Sequence, residues 1–160
     1  MSFYGLTKGT ACEKTVDEAM KAEAAGTMAY YAMARIAEER GLSDVAKRFI
    51  AAANQEAVHA GFYAVLNGRV PQDFEKMLPA LKQAEYDGDA QVRAIGEALK
   101  NAGLDSAATA EAVECINVFA GQEKGHGDLI QQILNEHFPE LKDVPGNPAD
   151  IYKILAGANE

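Results

Sequence analysis

The sequence predicts an all-α fold: four long amphipathic helices packed as a bundle, with a short fifth helix behind them. Three observations lead there. Apolar residues recur in steps of three and four along four separate stretches, the period of one helix face rather than the alternation of a strand. Alanine is abundant and β-branched residues are scattered, so intrinsic propensity favours helix in each stretch. Three of the stretches end on a glycine, Gly41, Gly68 and Gly103, the residue that most readily closes a helix. With 160 residues and 48% hydrophobic content, the chain can bury the core of a single domain.

The first helix opens at Thr15, where Thr15-Val16-Asp17-Glu18 has the form of a capping box, and ends before Gly41. Its inward stripe runs Val16, Met20, Glu23, Thr27, Tyr30, Ala34, Ala37. The second runs from near Ser43 to Asn67-Gly68, with Val45, Phe49, Ala52, Glu56, His59, Tyr63 and Leu66 inward. The third has Pro79 in its first turn, where proline is tolerated, and ends at Gly103; Leu78, Leu81, Glu85, Gly88, Val92, Ile95, Leu99 and Ala102 form its stripe. The fourth follows Asp105-Ser106 and reaches about His137, with Ala112, Ile116, Phe119, Glu123, His126, Ile130 and Ile133 inward. Asn147-Pro148, a cap with proline at the first helical position, opens a short helix over about 148–156. The bundle thus occupies about 15–137 of one domain.

The two halves repeat. Glu23 stands eighteen residues before Gly41, and Glu85 eighteen before Gly103. Gln55-Glu56 and Gln122-Glu123 each introduce a Glu-x-x-His, ending at His59 and His126. A pseudo-twofold pairing of two such hairpins makes the second and third helices parallel, so their connection must travel most of the bundle's length. Gly68 to Leu78 spans at most roughly 36 Å, and Phe74 to Leu78 reads as a short helix that shortens it. The expectation is a taut crossover, or a homodimer in which hairpins are exchanged between copies.

A spacing of three puts the glutamate and histidine of each motif on one helix face, a turn apart, where both reach one metal site. Glu23, Glu56, Glu85 and Glu123 all stand among apolar neighbours in the pattern. Unpaired buried carboxylates are strongly disfavoured, so four of them with His59 and His126 call for compensating charge. Two divalent ions supply it. Oxygen and nitrogen donors without thiolate suit iron or manganese, and zinc also binds them. Cys12 and Cys115 form no C-x-x-C pair, which excludes a disulfide framework or a thiolate metal site and suits free thiols in a reducing cytoplasm. The net charge of -9 argues against nucleic acid as a partner. Met1 to Glu18 carries no apolar signal run, and no apolar stretch reaches the roughly 20 residues a membrane span needs.

On these two Glu-x-x-His motifs and two single glutamates, the chain from Thr15 to His137 resembles the ferritin-like diiron-carboxylate superfamily, nearest to rubrerythrins. The resemblance implies a ferritin-like four-helix bundle with a long crossover between its second and third helices. It implies two iron ions held by Glu23, Glu56, His59, Glu85, Glu123 and His126, with Glu56 and Glu123 as bridges. The activity it implies is reduction of hydrogen peroxide or dioxygen by a diferrous centre. Ferroxidase and iron storage, or a redox-silent metal-binding bundle, are the other classes the motifs admit. Departures from the family pattern matter. Gly88 stands where rubrerythrins usually carry an additional glutamate. Without cysteine pairs there is no rubredoxin domain, so electrons must come from an external rubredoxin-like protein. Ala57 replaces the methionine with which bacterioferritins bind haem. Tyr30, seven residues after Glu23, matches a tyrosine that in related proteins hydrogen-bonds a metal-bound carboxylate, which makes it the catalytic candidate. Gln55 and Gln122 either orient the imidazoles or face solvent. Gly26 and Gly88, each three residues past a single glutamate, either let helices approach closely or leave a gap through which the oxidant reaches the metals.

Overall fold

Five α-helices follow one another in the computed structural model, which describes residues 2–104 and 106–155: α1 (Glu13–Glu39), α2 (Ser43–Leu66), α3 (Leu78–Lys100), α4 (Ser106–His137) and α5 (Pro148–Leu155). A 3-10 turn, Phe74–Met77, leads into α3. No strand occurs among the described residues. Asp105, expected ahead of the fourth helix, and residue 156, expected in the fifth, lie outside them. The chain divides into two compact units: one runs through Gln72 and contains the α1–α2 hairpin, the other starts at Asp73 and contains the α3–α4 hairpin and α5. Among the described residues, no helix is long and apolar enough to cross a membrane.

Each hairpin closes over a small-residue seam. Ala34, Ala37, Ala46 and Ala53 are buried between α1 and α2, with Phe49 packed against the first three. Val113, Ala120, Gly127 and Leu134 of α4 are buried, as is Gly96 of α3, whose missing Cβ would stand 3.4 Å from Ile116 Cγ2. Alanine and glycine bring two helix axes close, and the larger apolar residues are then left beside the seam. Hence Val45, Ile95 and Phe119, expected inward, are exposed, as is Ala102, which lies beyond the end of α3. The turn between α1 and α2 is as expected: Gly41 has φ +72, and Leu42 N–H donates to the Ala37 carbonyl at 2.9 Å.

The capping box at Thr15 does not form, because α1 starts two residues earlier, at Glu13, with no side-chain cap. Glu13 instead accepts from the Gly9 N–H at 2.7 Å. The segment ahead of α1 folds onto the end of α2: Gly5 N–H donates to the Val65 carbonyl and Thr7 N–H to that of Leu66. Carbonyls that a helix end leaves without partners are thereby satisfied.

A polar latch joins the same elements. Asn67, fully buried, donates through Nδ2 to the Glu13 carbonyl at 2.8 Å and to Asp17 Oδ1 at 2.9 Å, while its Oδ1 accepts from Thr7 Oγ1. Arg69 Nε donates to Asp17 Oδ1 at 2.8 Å, and its Nη2 pairs with Asp17 Oδ2 and with Glu13 Oε1. Arg69 holds the Asp17 carboxyl below the usual carboxylate range. A depressed folded-state pKa stabilises the fold above the unfolded value, and that contribution disappears as pH falls through the folded one. Arg69→Ala is therefore expected to lose about 1–3 kcal/mol at neutral pH. Denaturant titrations of both proteins should converge in acid below the lowered Asp17 value; a gap independent of pH would remove Asp17 from the explanation.

Candidate metal centre

Two clusters of ligand-capable side chains stand on the hairpins, one in each unit. In the first, Glu23 of α1 and Glu56 and His59 of α2 place their ligand atoms within 4.8 Å of one another. In the second, Glu85 of α3 and Glu123 and His126 of α4 do the same. The construction is identical. Glu-x-x-His sets carboxylate and imidazole one turn apart, and the antiparallel neighbour brings its single glutamate to the same level. His59 Nδ1 is 3.4 Å from Glu23 Oε2, and His126 Nδ1 is 3.2 Å from Glu85 Oε2. All four carboxylates are half-buried, whereas the imidazoles are 54% and 58% exposed.

Electrostatics inside each cluster show what it lacks. A hydrogen bond shared with Glu23 pushes the Glu56 carboxyl above the usual range, and desolvation and repulsion by the Glu23 charge push the same way. Glu85 acts on Glu123 in the same manner, and His59 and His126 oppose the effect. Two carboxylates this close repel each other when both are ionised, and a bound cation would relieve that repulsion. The donor set of two carboxylates and one imidazole per cluster fits a divalent first-row metal and excludes sites built on thiolate. Each cluster by itself has the donors for one divalent ion.

The glycines beside the clusters face the carboxylates of the neighbouring helix. A Cβ on Gly26 would stand 3.0 Å from Glu56 Oε2, and one on Gly88 would stand 3.2 Å from Glu123 Oε2. The space each glycine opens is filled by the carboxylate of the facing helix. Tyr30 packs its ring on Phe49, centroids 6.0 Å apart, and its hydroxyl forms no hydrogen bond with Glu23 or Glu56 among the described residues. Gln55 and Gln122 are exposed.

Tyr86 was not singled out in the sequence, although it follows Glu85 directly. Its ring lies over Gly127, where a Cβ would come within 2.6 Å of Tyr86 Cε1. Its hydroxyl donates to Asp128 Oδ1 at 3.0 Å, and Lys124 Nζ stands 2.9 Å from Asp128 Oδ2. Burial, reinforced by the bond to Asp128, pushes the phenol up and keeps it protonated. The first half has Ala24, Ala60 and Gly61 at the corresponding positions, and that break in the repeat was the available signal.

Comparison with known proteins agrees with this arrangement. The Rubrerythrin family model matches residues 14–102, a span that holds Glu23, Glu56, His59 and Glu85. An uncharacterized protein of Methanocaldococcus jannaschii is 29% identical over 134 residues, covering 84% of this chain and 92% of the relative. No solved structure matches the chain. The family match takes in more than half of the sequence, and the repeated Glu-Glu-His geometry extends the same pattern into α4: the chain belongs to the rubrerythrin family, within the ferritin-like diiron-carboxylate superfamily.

Proposed function

We propose that the two clusters together hold one pair of iron ions and that the loaded protein reduces hydrogen peroxide, or dioxygen, with electrons from an external donor. The observation that carries this reading is the matched pair of Glu-Glu-His clusters, alike in donors and distances. Bound iron supplies two electrons on passing from the diferrous to the diferric state, which with two protons converts peroxide to two waters. The chain's own residues supply geometry and charge. Glu56 and Glu123 would hold the ions as shared carboxylates, Glu23 and Glu85 as single ones, and His59 and His126 would hold them through imidazole nitrogen. Gly26 and Gly88 seat the bridging carboxylates. To Tyr30, seven residues after Glu23, we assign proton or electron exchange with the Glu23 side of the site. Manganese and zinc suit the same donors, and with zinc the centre is redox-silent.

Two cysteines are too few for a four-thiolate iron site, so the donor is a separate small redox protein of the rubredoxin kind. Free thiols, Cys12 among them, suit a reducing compartment such as the cytoplasm. Anaerobic ferrous loading followed by stoichiometric peroxide should produce the near-ultraviolet charge-transfer bands of an oxo-bridged diferric pair. Peroxide turnover with reduced nicotinamide should then require an added rubredoxin and its reductase. Steady turnover by this protein and nicotinamide alone would disprove the external donor. Iron retained as mineral in a very large assembly would move the protein to the ferroxidase class.

A further inference from the structure

Around its two ligands α4 is short of side chains. Gly121, Gly125 and Gly127, all the glycines of that helix, fall within seven residues that also hold Glu123 and His126. A Cβ on Gly121 or Gly125 would meet nothing within 4 Å among the described residues, so no close packing calls for either glycine. Glycine weakens a helix interior, having the most backbone freedom to lose. The segment that carries two ligands is thus the part of α4 least held by its own helix. In α2 the one glycine is Gly61, which follows both ligands.

Tyr86 supplies from α3 what that segment lacks. The pair Glu85-Tyr86 engages three consecutive residues of α4. Glu85 Oε2 is 3.2 Å from His126 Nδ1, the Tyr86 ring packs on the backbone at Gly127, and its hydroxyl donates to Asp128 Oδ1 at 3.0 Å. Lys124, one turn back, holds the other oxygen of Asp128. Only a glycine admits the ring at 127, because an added Cβ would come within 2.6 Å of Tyr86 Cε1 and 2.7 Å of Cδ1. The first hairpin is built differently. Ala24, Ala60 and Gly61 occupy the corresponding positions, and a Cβ on Gly61 would meet nothing within 4 Å among the described residues. Its cross-helix bond, Tyr31 Oη to Asn54 Oδ1 at 2.7 Å, starts eight residues from Glu23 rather than beside it. The two clusters have the same donors and different supports.

Resting on the metal-binding reading above, we propose that Tyr86 is a positioning residue for one metal position and not for the other. It clamps the glycine-rich segment of α4 against α3 and so holds Glu123 and His126 in register with Glu85. Metal sites tolerate ligand displacements of only about 0.2 Å, so slack within one helical turn is enough to cost affinity. Affinity at the second cluster therefore depends on Tyr86, and affinity at the first does not.

Cobalt(II) titration of full-length variants tests this, each with one position removed and the shared Glu56 and Glu123 kept. Glu23→Ala/His59→Ala leaves the second position, and Glu85→Ala/His126→Ala leaves the first. Adding Tyr86→Ala to the former should lower cobalt affinity on the order of 10–100-fold, the usual cost of losing a group that orients a ligand. Adding it to the latter should change nothing. Tyr86→Phe, which keeps the ring on Gly127, should retain most of the affinity. Gly127→Ala should reproduce the loss by displacing the ring, although alanine strengthens the helix. Two rescues in the Tyr86→Ala protein separate positioning from general stability. Gly121→Ala/Gly125→Ala should recover affinity by stiffening the ligand segment, whereas Gly61→Ala, an equally open helix position in α2, should not. Equal losses at both positions, or rescue by Gly61→Ala, would overturn the positioning role. If neither parent variant binds cobalt, the metal-binding reading fails and takes this role with it. If both parents bind and Tyr86→Ala has no effect, the positioning role alone falls.

Discussion

Replacing Glu56 and Glu123 together by alanine is expected to empty the metal centre and, in the same protein, to make the metal-free form more stable. Both effects have one cause. In each hairpin two carboxylates are held close, and the pKa of Glu56 and of Glu123 is raised mainly by the hydrogen bond shared with Glu23 or Glu85. A carboxyl whose folded pKa is raised contributes stability below its unfolded value and loses it as pH rises through the folded one. Above the raised range the apo hairpins therefore carry repulsion that alanine removes. With metal the sign reverses, since the ions bind the ionised carboxylates and expel the shared protons. Metal affinity of the wild type should accordingly rise with pH through the raised range and level off above it. Ferrous loading should drop from two ions per chain to none in the double variant, while its apo melting temperature exceeds that of the wild type. Glu38→Ala and Glu97→Ala serve as controls, because Glu38 accepts from Ser43 Oγ and Glu97 pairs with Lys100, neither within the clusters. Full iron stoichiometry in the double variant would remove these two residues from the site.

Periodicity made the helices and the grouping of the clusters legible, because both depend on local spacing. Glu-x-x-His fixes two ligands on one face without tertiary information. Gly41 and Gly103 were readable as helix ends, having φ +72 and +67, where few other residues are at ease. The 3-10 turn at Phe74–Met77 was likewise visible as a short helix ahead of Pro79. What failed depends on which neighbour a side chain meets. The stripes through Val45, Ile95 and Phe119 were drawn in register with the ligands, but the hairpins close on Ala46, Ala53, Gly96 and Ala120, rotated partly around the helix. A stripe marks an apolar face; it does not say whether that face meets the hairpin partner or something else. Thr15 has the letters of a capping box, yet bonds from residues far along the chain, among them Asn67 to the Glu13 carbonyl, start the helix sooner. Tyr86 over Gly127 is a fit between two helices, and nothing in either sequence segment alone announces it.

Gly26 and Gly88 are expected to control metal affinity rather than access to the metals, and substitution there should separate the two. A Cβ at Gly26 meets Glu56 Oε2 at 3.0 Å and one at Gly88 meets Glu123 Oε2 at 3.2 Å, closer than ordinary van der Waals contact. The atom in the way is the free end of a flexible side chain, so alanine is accommodated by a carboxylate shift of a few tenths of an ångström. Metal sites tolerate ligand displacements of only about 0.2 Å. Alanine also removes the cost of glycine inside a helix, about 0.5–1 kcal/mol at each position. Gly26→Ala/Gly88→Ala should thus raise apo stability and lower metal affinity on the order of 10–100-fold, the usual effect of disturbing a group that orients a ligand. Leucine leaves no place for the carboxylate at all. Gly26→Leu/Gly88→Leu should keep the helix content seen by circular dichroism and fail to load a metal pair in competition with a chelator. An access channel makes the opposite forecast, with full loading of the leucine variant and slower oxidation by peroxide. Chelator competition run before any oxidant is added distinguishes them. Wild-type affinity in both the alanine and the leucine variants would show that the carboxylates do not depend on these glycines for their place.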